Sequence, residues 1–189
     1  MSNKFTYQVL RDTTTDTVIK LTGVFDGTGQ EANNSRIQAS SLSGALDSSK
    51  ANLLSNTSNT GALTYYDLQL TGLKYYVNLP TSNSSGGSIG SVEVFWNGGG
   101  ATAAAQYANS ATIFHLNSSG EFGLGEQLPA IYNNATNAPL GDIGIYTSGA
   151  QANSSYTLII SVRKNNAQYQ RGQFNDPAAF NYGNYSLKP

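Results

Sequence analysis

Residues 141–164 read GDIGIYTSGAQANSSYTLIISVRK, and this stretch decides the fold class. Two strand-like runs, 142–147 and 156–162, flank a polar turn region of Ser, Gly, Gln, Ala and Asn. The second run is the most hydrophobic in the chain and is rich in β-branched and aromatic residues, which suit a pleated, half-buried surface. Strand alternation puts Leu158, Ile160 and Val162 on one face and Ile159 on the other. A strand this apolar belongs in the middle of a sheet. The two runs are expected to form a central hairpin with the other strands built around it, and neither carries catalytic or ligand-binding chemistry.

Working outward, residues 4–11 (KFTYQVLR) alternate Phe5, Tyr7 and Val9 against Thr6, Gln8 and Leu10, a strand period with one aromatic face. Residues 17–25 (TVIKLTGVF) form a second strand, and Thr13–Thr15 make the tip of the hairpin. Residues 26–34 are loop by composition. Within 36–54, Ile37, Ala39 and Ser41 suggest a short strand leading into an irregular or briefly helical loop, because Gly44 and the serines weaken a helix. Residues 63–79 (LTYYDLQLTGLKYYVNL) are long for one strand, and Gly72 marks a bulge, bend or turn, with Tyr65, Tyr66, Tyr75 and Tyr76 on either side. Residues 91–97 (SVEVFWN) form a strand with Val92, Val94 and Trp96 on one face and Glu93 and Phe95 on the other; a lone Trp there belongs to the core. Residues 97–105 read as a flexible connector. Strands follow at 111–116 and 121–124 with a turn at 117–120, then an ordered loop over 127–140. Short strands, turn chemistry between them and no long helix point to an all-β antiparallel sandwich or jelly roll.

Composition narrows the function classes. The 189 residues suit one domain, or one domain with an arm. Charged residues are 11%, against roughly 25% in ordinary proteins, which suits either a protein covered by neighbours in an assembly or a chain kept soluble by its amides and hydroxyls. The net charge of −1 is scattered singly, with no basic stripe for nucleic acid and no polybasic amphipathic helix for a membrane surface. No run approaches the ~18 apolar residues of a membrane span. The opening has no signal-peptide pattern and starts with Met, so a complete, cytoplasmically made product is the expectation. The absence of cysteine excludes disulfides, thiol nucleophiles and thiolate metal sites.

Candidate chemistry is sparse. His115, the only histidine, has no metal-ligand spacing and no Gly-x-Ser-x-Gly elbow to serve. Glu121 and Glu126 flank a Gly-rich turn, but a glycosidase pair needs a particular separation in space. Asp12, Asp16 and Asp26 lack the spacing of a calcium loop. No catalytic residue, cofactor or metal ligand is expected. After Lys164 the strand pattern stops, yet residues 165–189 carry Tyr169, Phe174, Phe180, Tyr182 and Tyr185. Several aromatics on one structureless segment are costly to leave in water. Gly172, Pro177 and Gly183 favour an extended arm over a helix. A domain over 1–164 with an arm over 165–189 is therefore expected; the arm either packs back on its own sandwich or, the favoured reading, docks on a neighbouring chain with the five aromatics as anchors.

The strand SVEVFWNG (91–98), the segments GEFGLG, LPAIYNNATNAPLGDIGIYTSG and SYTLIISVRK within 120–164, and the opening FTYQVLRDTTTDTVIKLTG together resemble small β-rich virion structural proteins of tailed phages, particularly marine and cyanobacterial phages. The resemblance covers roughly two-thirds of the chain and carries no active-site signature. It implies a non-enzymatic virion component, foremost a capsid decoration or cement protein. Such a protein would bind the major capsid protein or other virion proteins on the outer surface of the head, as a homo-oligomer on the particle, without nucleic acid or membrane. A neck or tail component is the alternative within that class, and a carbohydrate-binding receptor module the alternative outside it.

Overall fold

Residues 2–45, 68–80, 89–123, 130–135 and 141–164 are described by the computed structural model. In chain order the strands are β1 (Lys4–Asp12), β2 (Asp16–Val24), β3 (Ala32–Ile37), β4 (Leu68–Asn78), β5 (Ser91–Trp96), β6 (Ala111–Leu116), β7 (Ser119–Phe122), β8 (Ile131–Tyr132), β9 (Ile143–Ser148) and β10 (Ser155–Lys164). A 3₁₀ turn spans Ala39–Ser41, and a short helix α1 spans Ala103–Ala108. One sheet runs β1-β2-β10-β4-β7, with β8 also on β4; the other runs β3-β9-β5-β6. Every pairing is antiparallel.

The pairings nest. β2 pairs with β10, β3 with β9, β4 with β7 and β5 with β6. The chain is thus one long antiparallel ribbon, folded back at β5–β6 and wound so that successive pairs alternate between two sheets. That winding is the jelly roll, an eight-stranded double-sheet solution to the problem of free sheet edges. β1 is added outside it, beside β2, through the predicted hairpin.

β10 lies at the centre of its sheet between β2 and β4, as its apolar run requires. Tyr156, Leu158, Ile160 and Val162 are buried and Ile159 is half-buried on the opposite face. Complete burial of an aliphatic side chain of this size is worth roughly 1.5–3 kcal/mol. Facing them across the core stand Val92, Val94 and Trp96 of β5 and Ile143 and Ile145 of β9. Gly72 does mark a bulge. Ser161 pairs with Gly72 and Val162 with Leu70, leaving Thr71 extra. The added residue changes the parity of β4, so Leu68 and Leu70 before it and Leu73 after it all belong to the core cluster, with Tyr75 and Val77 packed against it.

Several sequence expectations need correction. Residues 142–147 and 156–162 do not form a hairpin: β9 and β10 belong to different sheets and face each other across the core. Their link arches over the end of the sandwich, where Gln30 accepts from Ala150 N and donates to Ala150 O, both at 3.0 Å. The strands around 117–120 are likewise split, β6 to one sheet and β7 to the other. Residues 97–105 are not a mere connector, since α1 begins at Ala103, with Thr102 as N-cap accepting from Ala105 N at 3.2 Å. β3 begins at Ala32, inside the expected loop, while Ala39–Ser41 form a 3₁₀ turn in place of strand.

Gly144 on β9 permits a close approach. A Cβ there would overlap the ring of buried Phe95 and lie 2.9 Å from the carbonyl oxygen of Asn34. Gly144→Ala is expected to cost about 1–3 kcal/mol through overpacking, seen as a lower urea midpoint with an unchanged slope. A cost near zero would mean that Phe95 is free to move.

Candidate interaction surface

The buried ionisable groups are engaged within the fold. Glu31, at the entry to β3, is 4% exposed and accepts a hydrogen bond from the Tyr156 hydroxyl. Its other oxygen lies 3.2 Å from Arg36 Nε, an ion pair whose alignment falls short of a hydrogen bond. Burial raises the Glu31 carboxyl above the usual range, against the opposing pull of Tyr156 and Arg36. Burial and the adjacent Glu31 carboxylate raise the Tyr156 phenol. Arg36 also donates to Thr6 O at 2.8 Å and lies over the Phe5 ring, 5.8 Å from its centroid, tying β3 to β1.

Lys164, the last residue of β10, is buried as well. Its ammonium donates to Asp12 Oδ1 at 2.5 Å, Thr13 O at 2.6 Å and Ser43 O at 2.7 Å. Asp12 in turn accepts from Thr17 Oγ1 at 2.6 Å and Ser43 N at 2.8 Å. This knot fastens the β1–β2 turn, the segment after the 3₁₀ turn and the end of β10 at one point. Its sequence signal was parity: Lys164 falls on the same face as Tyr156, Leu158, Ile160 and Val162.

On the outer face of the second sheet, α1 covers Phe95. The Tyr107 ring meets Phe95 edge-on at 5.2 Å and lies 5.5 Å from Tyr146. The Tyr107 hydroxyl donates to Glu93 Oε2 at 2.9 Å, and Thr112 donates to Oε1 at 2.5 Å. Burial and then the Glu93 carboxylate push the Tyr107 phenol up to about 12.

The residues singled out for chemistry are dispersed. His115 is exposed on β6 opposite Glu93, whose carboxylate is held by Tyr107 and Thr112. Glu121 is exposed opposite Lys74, and Glu126 lies outside the described residues. Asp12 and Asp16 sit at one end of β2 and Asp26 just past the other, where it accepts from Thr28 N at 2.9 Å in a local turn. Among the described residues no group of three His, Cys, Asp or Glu side chains is placed to hold a metal. No described helix is long and apolar enough to cross a membrane. Trp96 is fully buried, as expected of a core residue. The arm, with Tyr169, Phe174, Phe180, Tyr182 and Tyr185, lies outside the described residues, as do Tyr65 and Tyr66.

One surface stands out. The first sheet is wider than the second by β1, so β1 overhangs. Its would-be core side chains Tyr7 and Val9 are 42% and 45% exposed. Between this overhang and β3 lies an open cleft of about 420 Å³, with Tyr7, Val9 and Leu42 as apolar walls and Asn33, Ser35, Gln38 and Ser41 as polar ones. Among the described residues, Asp12 and Arg36 line it too. The aromatic face of residues 4–11 was legible in the sequence. Its lack of cover follows from the two sheets' unequal widths, which only the topology shows.

Comparison with known proteins adds little. No family model and no curated protein matches the chain. A solved structure described as "Insight into Three-dimensional structure of Maize Chlorotic Mottle Virus Revealed by Single Particle Analysis" is 12% identical and covers 92% of this chain and 97% of its own. Its TM-score is 0.21, a likeness too slight to carry an argument.

Proposed function

We propose that the protein is a non-enzymatic structural component of a tailed-phage virion, foremost a decoration or cement protein on the outer surface of the head. The observation that carries this reading is the use made of the buried charges. Glu31, Glu93, Asp142 and Lys164 are each bonded to groups of their own fold, Asp142 through Ala39 N at 2.9 Å. Such a scaffold is built to hold its shape. The charge-poor surface, the aromatic arm and the resemblance of residues 91–98 and 120–164 to phage virion proteins support the same reading. In this view the sandwich sits over a joint between major capsid subunits, and the arm aromatics, Phe174 to Tyr185 above all, contact neighbours. Repetition over a shell turns modest contacts into strong retention.

The test is co-sedimentation of the purified protein with tailed-phage heads lacking it, followed by cryo-EM of the decorated particles. Saturable binding on the head exterior is expected, and a chain ending at Lys164 should lose most of it, roughly a hundredfold in apparent affinity. Density only at the neck or tail would favour that alternative within the same class. Undiminished head binding by the truncated chain would remove the arm from the mechanism.

A further inference from the structure

We propose that the outer face of the first sheet is the side that meets the particle, and that its counterpart is an acidic protein surface on the shell subunits. The inference rests on the virion reading and adds which face makes the contact and with what charge. Strand register builds that face. Gln8, Lys20, Ile159, Lys74 and Glu121 form one row across β1, β2, β10, β4 and β7, each directly opposite the next. Thr6, Thr22, Thr157 and Tyr76 form the neighbouring row, with the Thr6 and Thr22 hydroxyls 2.5 Å apart. At the usual strand spacing, Lys20 and Lys74 stand roughly 10 Å apart on either side of Ile159.

The charges are sorted by this geometry. Alternation puts Lys4 and Arg163 on the same face as Lys20 and Lys74. The register break between Val9 and Arg11 turns Arg11 there as well, opposite Val18. Against these cations the face carries, among the described residues, the carboxylates of Asp16 and Glu121. The other described charges lie off these rows and are mainly acidic: Arg36 and Lys164 against Asp12, Asp26, Glu31, Glu93 and Asp142. A chain of net charge −1 thus presents one positive side. That side is open. The Arg163 side chain is 62% exposed and Tyr76 50%, Lys4 and Arg11 are exposed, and no described element packs over the sheet. Among the described residues no acid pairs with Lys4, Arg11 or Lys20.

The mixture favours a protein over a nucleic acid. Phosphate backbones call for a continuous basic stripe, and Asp16 and Glu121 interrupt this one. Val18, Ile159 and Tyr76 between the cations offer the apolar contact that a protein surface can return. Complementary charge then fixes orientation and speeds capture, and repetition over a shell multiplies a modest contact.

The test uses the full chain and DNA-free phage heads lacking it. Lys20→Glu/Lys74→Glu is expected to lower apparent affinity roughly tenfold or more and to flatten its dependence on salt. Lys20→Ser/Lys74→Ser should lower it by less, and carries the test should the reversed pair fold poorly. Ala101→Glu/Ala104→Glu, which adds carboxylates beside α1 on the other sheet, should leave binding unchanged. Equal retention of the wild type and both lysine variants would overturn the inference and leave the virion reading standing, whereas a wild type that binds no head would remove both. Retardation of double-stranded DNA by the wild type, lost in the lysine variants, would overturn the acidic-protein partner in favour of nucleic acid.

Discussion

Replacing Asp12 by alanine is expected to destabilise the fold by roughly 3–5 kcal/mol, the range for stripping a buried charge of its partner. The Lys164 side chain is 0% exposed and that of Asp12 19%. Without the carboxylate, the ammonium loses its counter-charge at 2.5 Å and retains the carbonyls of Thr13 and Ser43 among its partners. Lys164→Met on top of Asp12→Ala should restore most of the loss, because an apolar side chain of similar length needs no counter-charge. The recovery should stop short by about 1 kcal/mol for each hydrogen bond that Thr17 and Ser43 made to Asp12. The pH dependence has a definite sign. Burial tends to raise the Asp12 carboxyl, but Lys164, Thr17 and Ser43 N outweigh it and hold the carboxyl below its usual range. A depressed folded value gives stability that is complete above the unfolded carboxylate pKa of about 3.9 and is lost as the pH falls through the lower folded value. Glu31 works in the opposite sense: its raised carboxyl favours the native state in acid, and that contribution disappears as the pH rises through the raised value. Urea melts from pH 2 to 7 should therefore show the wild type losing stability more steeply below about pH 4 than Asp12→Ala. A variant within 1 kcal/mol of wild type at pH 7, or with the same acid slope, would mean that the knot contributes little.

What could be read from the sequence was whatever depends on a residue's own strand. The alternation of β10, the opening hairpin, the two faces of β5 and the bulge at Gly72 are local patterns, and local burial fixes them. Pairing partners were another matter. A polar stretch between two apolar runs looks like a hairpin turn, yet here it spans two sheets, because the nested ribbon pairs β9 with β3 and β10 with β2. Those partners lie more than 100 residues away, and no short-range signal encodes them. β3 escaped notice for a different reason: ANNSRI is polar because it forms a sheet edge with a register break between Asn33 and Ile37. Of the candidate site, the aromatic face of β1 was visible, whereas the cleft beneath it depends on one sheet outreaching the other. The Lys164 knot joins residues up to 152 positions apart. Parity hinted that this lysine points inward, but only the fold supplies Asp12 to meet it.

Trp96→Ala should be the costliest change in the core, at roughly 3–5 kcal/mol for an aromatic truncated in place. Trp96 is fully buried on β5, paired across the sheet with Ile143 on one side and Ala111 on the other. Its indole N–H has no hydrogen-bond partner among the described residues, so Trp96→Phe sacrifices volume and no protein hydrogen bond, and its cost should be clearly smaller. The residue is also the chain's only tryptophan, which makes it a built-in reporter. Native emission should be blue-shifted relative to the unfolded chain, and equilibrium melts followed at that wavelength should coincide with those followed by circular dichroism. The same signal bears on the carbohydrate-binding alternative. A sugar platform needs an aromatic face open to solvent, and Trp96 has none; Tyr107 and Tyr146 on the opposite face of that sheet are half-covered, with the Tyr107 hydroxyl committed to Glu93. Titration with mono- and oligosaccharides should therefore leave Trp96 emission unchanged. A saturable shift in that emission, together with a small effect of Trp96→Ala on stability, would show that the tryptophan faces a ligand and would revive the receptor-module reading over the shell protein.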